Sequence, residues 1–143
     1  MKTLLHIVTL IALASTAFAD LKVKAGPRHG RILELGSANA EFFVEKDRTI
    51  SIAFYDAVMK AQPASVQVVT ATAEAPSGKA KIEFEKKGDL LVAKAPLPAG
   101  EGYQVVVQVK ATADTKPKNF RIPLILHTCA SCQNPEYACI CDE

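Results

Sequence analysis

Apolar and polar side chains alternate along most of this chain in short runs, the two-residue period of half-buried strands. From Arg48 to Tyr55, Ile50, Ile52 and Phe54 fall on one face, and Thr49, Ser51 and Tyr55 fall on the other. Lys79 to Glu85 places Ile82 and Phe84 opposite Lys81, Glu83 and Glu85. Tyr103 to Lys110 sets Tyr103, Val105, Val107 and Val109 against Gln104, Gln108 and Lys110, and Phe120 to Leu126 aligns Phe120, Ile122, Leu124 and Leu126. Shorter or less regular runs are Arg31 to Leu35, Glu41 to Glu45, Val66 to Ala73 and Leu90 to Ala93.

Turn formers separate these runs: Gly36-Ser37, Lys46-Asp47, Pro76-Ser77-Gly78, Lys87-Gly88-Asp89 and Pro96-Leu97-Pro98-Ala99-Gly100. About eight short strands at this spacing predict an all-β, antiparallel, immunoglobulin-like sandwich. Pro123 has no N–H to donate, so its strand is expected at an edge or at a bulge. Only Asp56 to Gln62 reads as helix, two turns at most before Pro63. Burying a dozen inward side chains, at roughly 1.5–3 kcal/mol each, supports a core that folds without a metal or a disulfide.

Residues 1–19 read as a secretory signal. Lys2 precedes the apolar stretch Leu4 to Ala14, and Ala17-Phe18-Ala19 presents small residues to a signal peptidase. The apolar run is shorter than the roughly 20 residues that span a bilayer. The expected organisation is a signal peptide (1–19), a β-sandwich domain (20–126) and a Cys-rich tail (127–143). Localisation is then periplasmic or secreted, with no stable membrane insertion once the signal is removed.

Of the 17 basic side chains only Lys2 leaves with the signal, so basic and acidic residues nearly balance in the remainder. The signs are interspersed, whereas a nucleic-acid partner calls for a basic stripe. No basic amphipathic helix offers itself to a membrane surface. A protein partner, on this reading, is another envelope protein. Hydrolase elbows, zinc-protease helices and phosphate-cradling glycine loops are all missing from the sequence. Glu83 and Glu85 share a lysine-flanked solvent face, not the cleft that splits the pKa values of an acid/base pair. The chain reads as a non-enzymatic protein.

All four cysteines lie in the tail, as Cys129, Cys132, Cys139 and Cys141, in a C-x2-C-x6-C-x-C arrangement. Two readings compete. Export favours disulfides. Bonding Cys139 to Cys141 would strain the bridge. Joining Cys129 to Cys139 or to Cys141 closes loops of roughly ten residues, worth about 2.5–3 kcal/mol each. That would fold the tail into a knob with Tyr137 as its own small core. Alternatively, the two cysteine pairs supply four thiolates to Zn²⁺ or Cu(I), with His127 near enough to assist or simply standing at a strand end. Redox exchange at C-x-x-C wants a following helix to lower a thiol pKa, and Gln133-Asn134-Pro135 reads instead as a turn.

Several stretches resemble a known module: Gly26-Pro27-Arg28-His29-Gly30-Arg31-Ile32-Leu33, Ala40-Glu41-Phe42-Phe43-Val44, Ile52-Ala53-Phe54-Tyr55-Asp56-Ala57 and Leu97-Pro98-Ala99-Gly100-Glu101-Gly102-Tyr103. They are similar to the small periplasmic β-sandwich attached to some adaptors of heavy-metal efflux systems of the resistance-nodulation-division type, also found as stand-alone exported proteins. The likeness covers most of residues 26–110 and leaves the cysteines outside. It implies a fold, a compartment and a link to metal handling. The family's opening His-Gly-Gly, whose histidine is associated with metal, stands here as Arg28-His29-Gly30. A one-residue shift in an extended segment turns a side chain to the other face, so His29 is expected to be an exposed loop residue.

Taken together, these features predict an exported, non-enzymatic protein that binds a soft metal through its terminal cysteines. The alternative is a disulfide-pinned structural or protein-interaction module with no metal role.

Overall fold

A computed structural model describes residues 22–141; the expected signal over residues 1–19 lies outside them. Every expected run contains a strand, although the run Phe120 to Leu126 is strand only as far as Pro123. In chain order the strands are β1 (Arg31–Glu34), β2 (Ala38–Val44), β3 (Ile50–Asp56), β4 (Ala61–Gln62), β5 (Val68–Ala75), β6 (Gly78–Lys87), β7 (Leu90–Ala93), β8 (Gln104–Lys110) and β9 (Lys118–Pro123). Every pairing is antiparallel.

The strands form one hydrogen-bonded path, β1-β2-β3-β7-β6-β5-β8-β9, with β4 added to β3. Strand β6 turns the corner. Its first part pairs with β5 through Glu83↔Thr70, and its last four residues pair with β7 through Phe84↔Ala93 to Lys87↔Leu90. The two ends of the path approach each other, since Lys118 Nζ on β9 donates to the Glu34 carbonyl on β1 at 3.4 Å. The result is an all-β antiparallel fold whose sheet nearly closes. Pro123 ends β9, the terminal strand of the path, where a missing donor costs no ladder bond.

The inward faces form a single core. Val105, Val107 and Val109 of β8 meet Val69, Ala71 and Ala73 of β5, with Ile82, Ile50, Ile52, Phe42 and Leu33 from the remaining strands. Outside it, Glu83 pairs with Lys81 and Lys94, and Glu85 pairs with Lys87. The two carboxylates therefore sit on a solvent-facing strand surface.

Asp56 to Gln62 does not form the expected helix. The Asp56 carboxylate accepts the backbone N–H groups of Val58 (3.0 Å) and Lys60 (2.9 Å), and Met59 adopts φ 62°. The chain then reverses, and Ala61–Gln62 pairs back on Phe54 and Tyr55. An aspartate that satisfies nearby N–H groups favours a turn over a short helix.

Strand β3 also departs from simple alternation, because Ser51, Ala53 and Tyr55 are buried as well as the inward face. Segment 26–30 covers that second face. Arg28 reaches Ser51 Oγ (2.8 Å) and Glu45 (2.8 Å), and lies 4.7 Å over the Phe43 ring. Beneath the segment is Glu41, fully buried on β2. Its Oε1 accepts the N–H groups of Arg28 (2.9 Å) and Gly30 (2.8 Å), and its Oε2 accepts the Tyr55 hydroxyl (2.6 Å). Burial, and next the bond to Glu41, push the Tyr55 phenol well above its ordinary pKa. The loop fits this tightly only with glycine. A Cβ at Gly26 would stand 2.3 Å from the Glu41 carboxyl carbon, and one at Gly30 would stand 2.4 Å from the Phe42 carbonyl oxygen.

Gly30→Ala is expected to lower the unfolding free energy by about 1–3 kcal/mol through overpacking. Glu41→Ala strands three donors and is expected to cost about 3–5 kcal/mol, with Glu41→Gln costing less. Urea unfolding followed by circular dichroism measures all three; a wild-type midpoint for Glu41→Ala would remove the carboxyl from this role.

Candidate metal centre

The tail begins as a narrow hairpin. Thr128 bridges Pro135, the Cys129 N–H donates to the Asn134 carbonyl (2.8 Å), and the Gln133 N–H donates to the Cys129 carbonyl (2.9 Å). Gln133 takes φ 62°, which closes the turn and places Cys129 and Cys132 on one knuckle. This agrees with the turn expected at Gln133-Asn134-Pro135. A single 3-10 turn, Glu136–Ala138, then redirects the chain, and Cys139 leaves it in extended conformation. In extended backbone, residues two apart share a face. Cys139 and Cys141 accordingly turn toward the knuckle, while Ile140 is 46% exposed.

All four sulfurs lie within 4.8 Å of one another. Cys132 and Cys139 stand 3.7 Å apart, and Cys129 and Cys141 3.8 Å apart. A disulfide needs about 2.05 Å, so none of these contacts is a bond, and all four cysteines are free. A regular tetrahedron of sulfurs at the usual Zn–S length has edges of about 3.8 Å. The two separations match such an edge, and the cluster is compatible with a metal ligand set.

Electrostatics gives the same impression. The Cys132 sulfur receives the backbone N–H groups of Ile140 and Asn134, which bring its pKa down to about 6. Cys139 also gains from a backbone N–H, that of Cys141, but sharing hydrogen bonds with the Cys129 thiol and its neighbours pushes it up to about 12. Cys141 is raised as well, chiefly by Cys129. One thiolate is stabilised and its neighbours act as its donors; four thiolates at this range require a cation among them.

His127 stands outside the sulfur group, with its Nε2 3.7 Å from a Glu136 carboxylate oxygen. His29 is an exposed loop residue at φ 65°. Its ring is not near enough to join the sulfurs as a ligand, yet it touches the segment that holds them: His29 Nδ1–H donates to Asn134 Oδ1 at 2.9 Å. Asn134 is only 3% exposed, and its backbone bonds both Cys129 and Cys132. This link joins residues 105 apart in sequence, and no local pattern announces it.

Tyr137 does not form a separate core for the tail. Its ring enters the main core and meets Phe42 edge-on at 5.5 Å. The Val44 N–H on β2 donates to its hydroxyl (3.1 Å), and its own N–H donates to the Ile125 carbonyl (3.2 Å). Ala138 is fully buried beside it. The nearest signal in the sequence is an aromatic residue isolated in a polar, cysteine-rich stretch.

Tyr137→Ala is expected to cost about 3–5 kcal/mol of stability, and Tyr137→Phe about 1 kcal/mol. Hydrogen exchange checks the assignment, because the Val44 amide should exchange faster in the Phe variant while core amides of β5 and β8 do not. No protein-family model, curated protein or solved structure matches this chain at a significant level, so the chemistry of the centre rests on its own residues.

Proposed function

We propose that this is an exported, non-enzymatic protein that binds one soft metal ion, Zn²⁺ or Cu(I), through Cys129, Cys132, Cys139 and Cys141. The observation that carries the reading is the mutual approach of all four sulfurs within 4.8 Å, outside bonding distance. Four protein thiolates fill a tetrahedral site and leave no position for a substrate or a reactive water. That supports holding over catalysis. Thiolate softness selects Zn²⁺ and Cu(I) over harder cations, and a four-sulfur set of this shape favours Zn²⁺.

The signal-like start of the chain supports export. The resemblance over residues 26–110 to modules of heavy-metal efflux adaptors is in keeping with a metal-handling role. Among the described residues no helix is long and apolar enough to cross a membrane.

Because Tyr137 lies between Cys132 and Cys139 and is set in the core, the metal stabilises more than the tail. A group that binds only the folded state raises its stability by mass action. Protein isolated from its native compartment is expected to carry about one equivalent of metal, as a single four-coordinate site requires. Combining Cys129→Ser with Cys132→Ser should abolish it. A chelator should lower the thermal midpoint of the wild type and leave that of the double variant unchanged. Unchanged metal content in the double variant, measured by elemental analysis, removes the proposal.

A further inference from the structure

The four sulfurs meet in an unequal way. Cys129 is buried under the hairpin, Cys132 and Cys139 are partly covered, and Cys141 is exposed. Two thiol–thiol contacts of hydrogen-bond geometry divide the four sulfurs between them, pairing the outer cysteines, Cys129 with Cys141 at 3.8 Å, and the inner ones, Cys132 with Cys139 at 3.7 Å. Of the three ways to join four cysteines, bridging Cys139 to Cys141 strains the ring between them, and the crossed arrangement uses neither of these two contacts. The geometry points to a thiol–disulfide switch: oxidation joins Cys129 to Cys141 and Cys132 to Cys139, and releases the metal. This deepens the metal reading and rests on it for the release; the pairing follows from the sulfur positions alone.

The oxidant is a small-molecule disulfide of the oxidised-glutathione class. The exposed Cys141 thiolate attacks one of its sulfurs, forming a mixed disulfide and expelling one small thiolate. Cys129, 3.8 Å away, then attacks the Cys141 sulfur and expels the second. Two protein thiolates have lost two electrons, and one oxidant molecule has gained them as two thiolates. A second oxidant molecule takes Cys132 and Cys139 through the same two steps. No protons need move, because the metal-bound sulfurs are already deprotonated. With all four thiolates spent, the cation has no ligands left and leaves as the free ion.

Reachability sets the order. Cys129 is too covered to meet the oxidant first, and it meets only what is already on Cys141. Cys129→Ser should therefore prolong the mixed disulfide on Cys141, which the remaining sulfurs resolve more slowly. Wild-type protein should pass through that species without accumulating it.

The test treats zinc-loaded and metal-stripped full-length protein with oxidised glutathione. Freed zinc is read with a chromophoric chelator, intact mass reports bridge formation, and fragmentation between the cysteines of each pair assigns connectivity. Two-cysteine variants retaining Cys129/Cys141 or Cys132/Cys139 are expected to oxidise about ten-fold faster than those retaining Cys129/Cys139 or Cys132/Cys141, reflecting proximity of the reacting sulfurs. Full zinc release with both nested bridges supports the switch. Bridges of the other connectivities, or crossed pairs closing as fast as nested ones, overturn it. Zinc that stays bound while the thiols resist oxidation overturns the switch alone. Nested bridges in a chain that never holds zinc overturn the metal reading, and the release falls with it.

Discussion

One phenol ring determines where the cysteine segment can be. Tyr137 is set in the core against Phe42 and accepts a hydrogen bond from the Val44 N–H. It lies five residues after Cys132 and two before Cys139, so it anchors the middle of the cysteine segment. Without that insertion, thirteen residues carrying four thiols would be a polar tail with no apolar reason to fold, and ordering them would cost about 1–2 kcal/mol per residue in backbone entropy. With it, the hairpin from Thr128 to Pro135 and the extended run from Cys139 leave the same fixed point in opposite directions, and they meet at the sulfurs.

A second tether acts from the opposite end of the chain. The Gly26–Gly30 loop is held down by the Glu41 carboxyl and carries His29 onto Asn134. Asn134 in turn supplies the carbonyl that takes the Cys129 N–H and an N–H for the Cys132 sulfur. The buried carboxyl, the glycine loop and the cysteine knuckle therefore form one connected polar layer. Its cost is high if any member is removed, because the donors left behind are covered. This layer also accounts for β3 being buried on both faces, since the loop supplies a roof that its alternation alone does not imply.

Much of the fold was legible in the sequence because sheet faces obey a strict period. Val105, Val107 and Val109 lie inside as their spacing requires, and Glu83 and Glu85 lie outside among lysines. Other features depended on contacts far apart in sequence. Residues 56–62 had helical composition, but Asp56 could satisfy its neighbours' N–H groups in a turn, and β3 offered an edge for Ala61–Gln62. Glu41 stands alone among the apolar residues of Ala40 to Val44, and a single carboxyl in such a run is the trace a buried, fully bonded polar group leaves. The cysteines were plain from their clustering. Their spacing alone could not choose between bridges and a ligand set, since both need the sulfurs close; separations of 3.7–3.8 Å show unbonded thiols, compatible with a ligand set.

On the proposed reading of an exported protein, the compartment and the site pull in opposite directions. An oxidising exterior favours bridges, whereas four thiolates held at tetrahedral spacing favour a soft cation. Burial shifts this balance in a graded way. A bound metal would shield all four sulfurs alike, but the protein itself buries Cys129, covers Cys132 and Cys139 in part and leaves Cys141 at the rim exposed. The centre is therefore stabilised from within by Tyr137, Asn134 and the backbone N–H groups around Cys132, and open at its last ligand. A site needed only for rigidity gains nothing from an exposed ligand next to an exposed Ile140. A site whose occupancy answers to its surroundings requires one ligand that solvent, an oxidant or an incoming donor can reach.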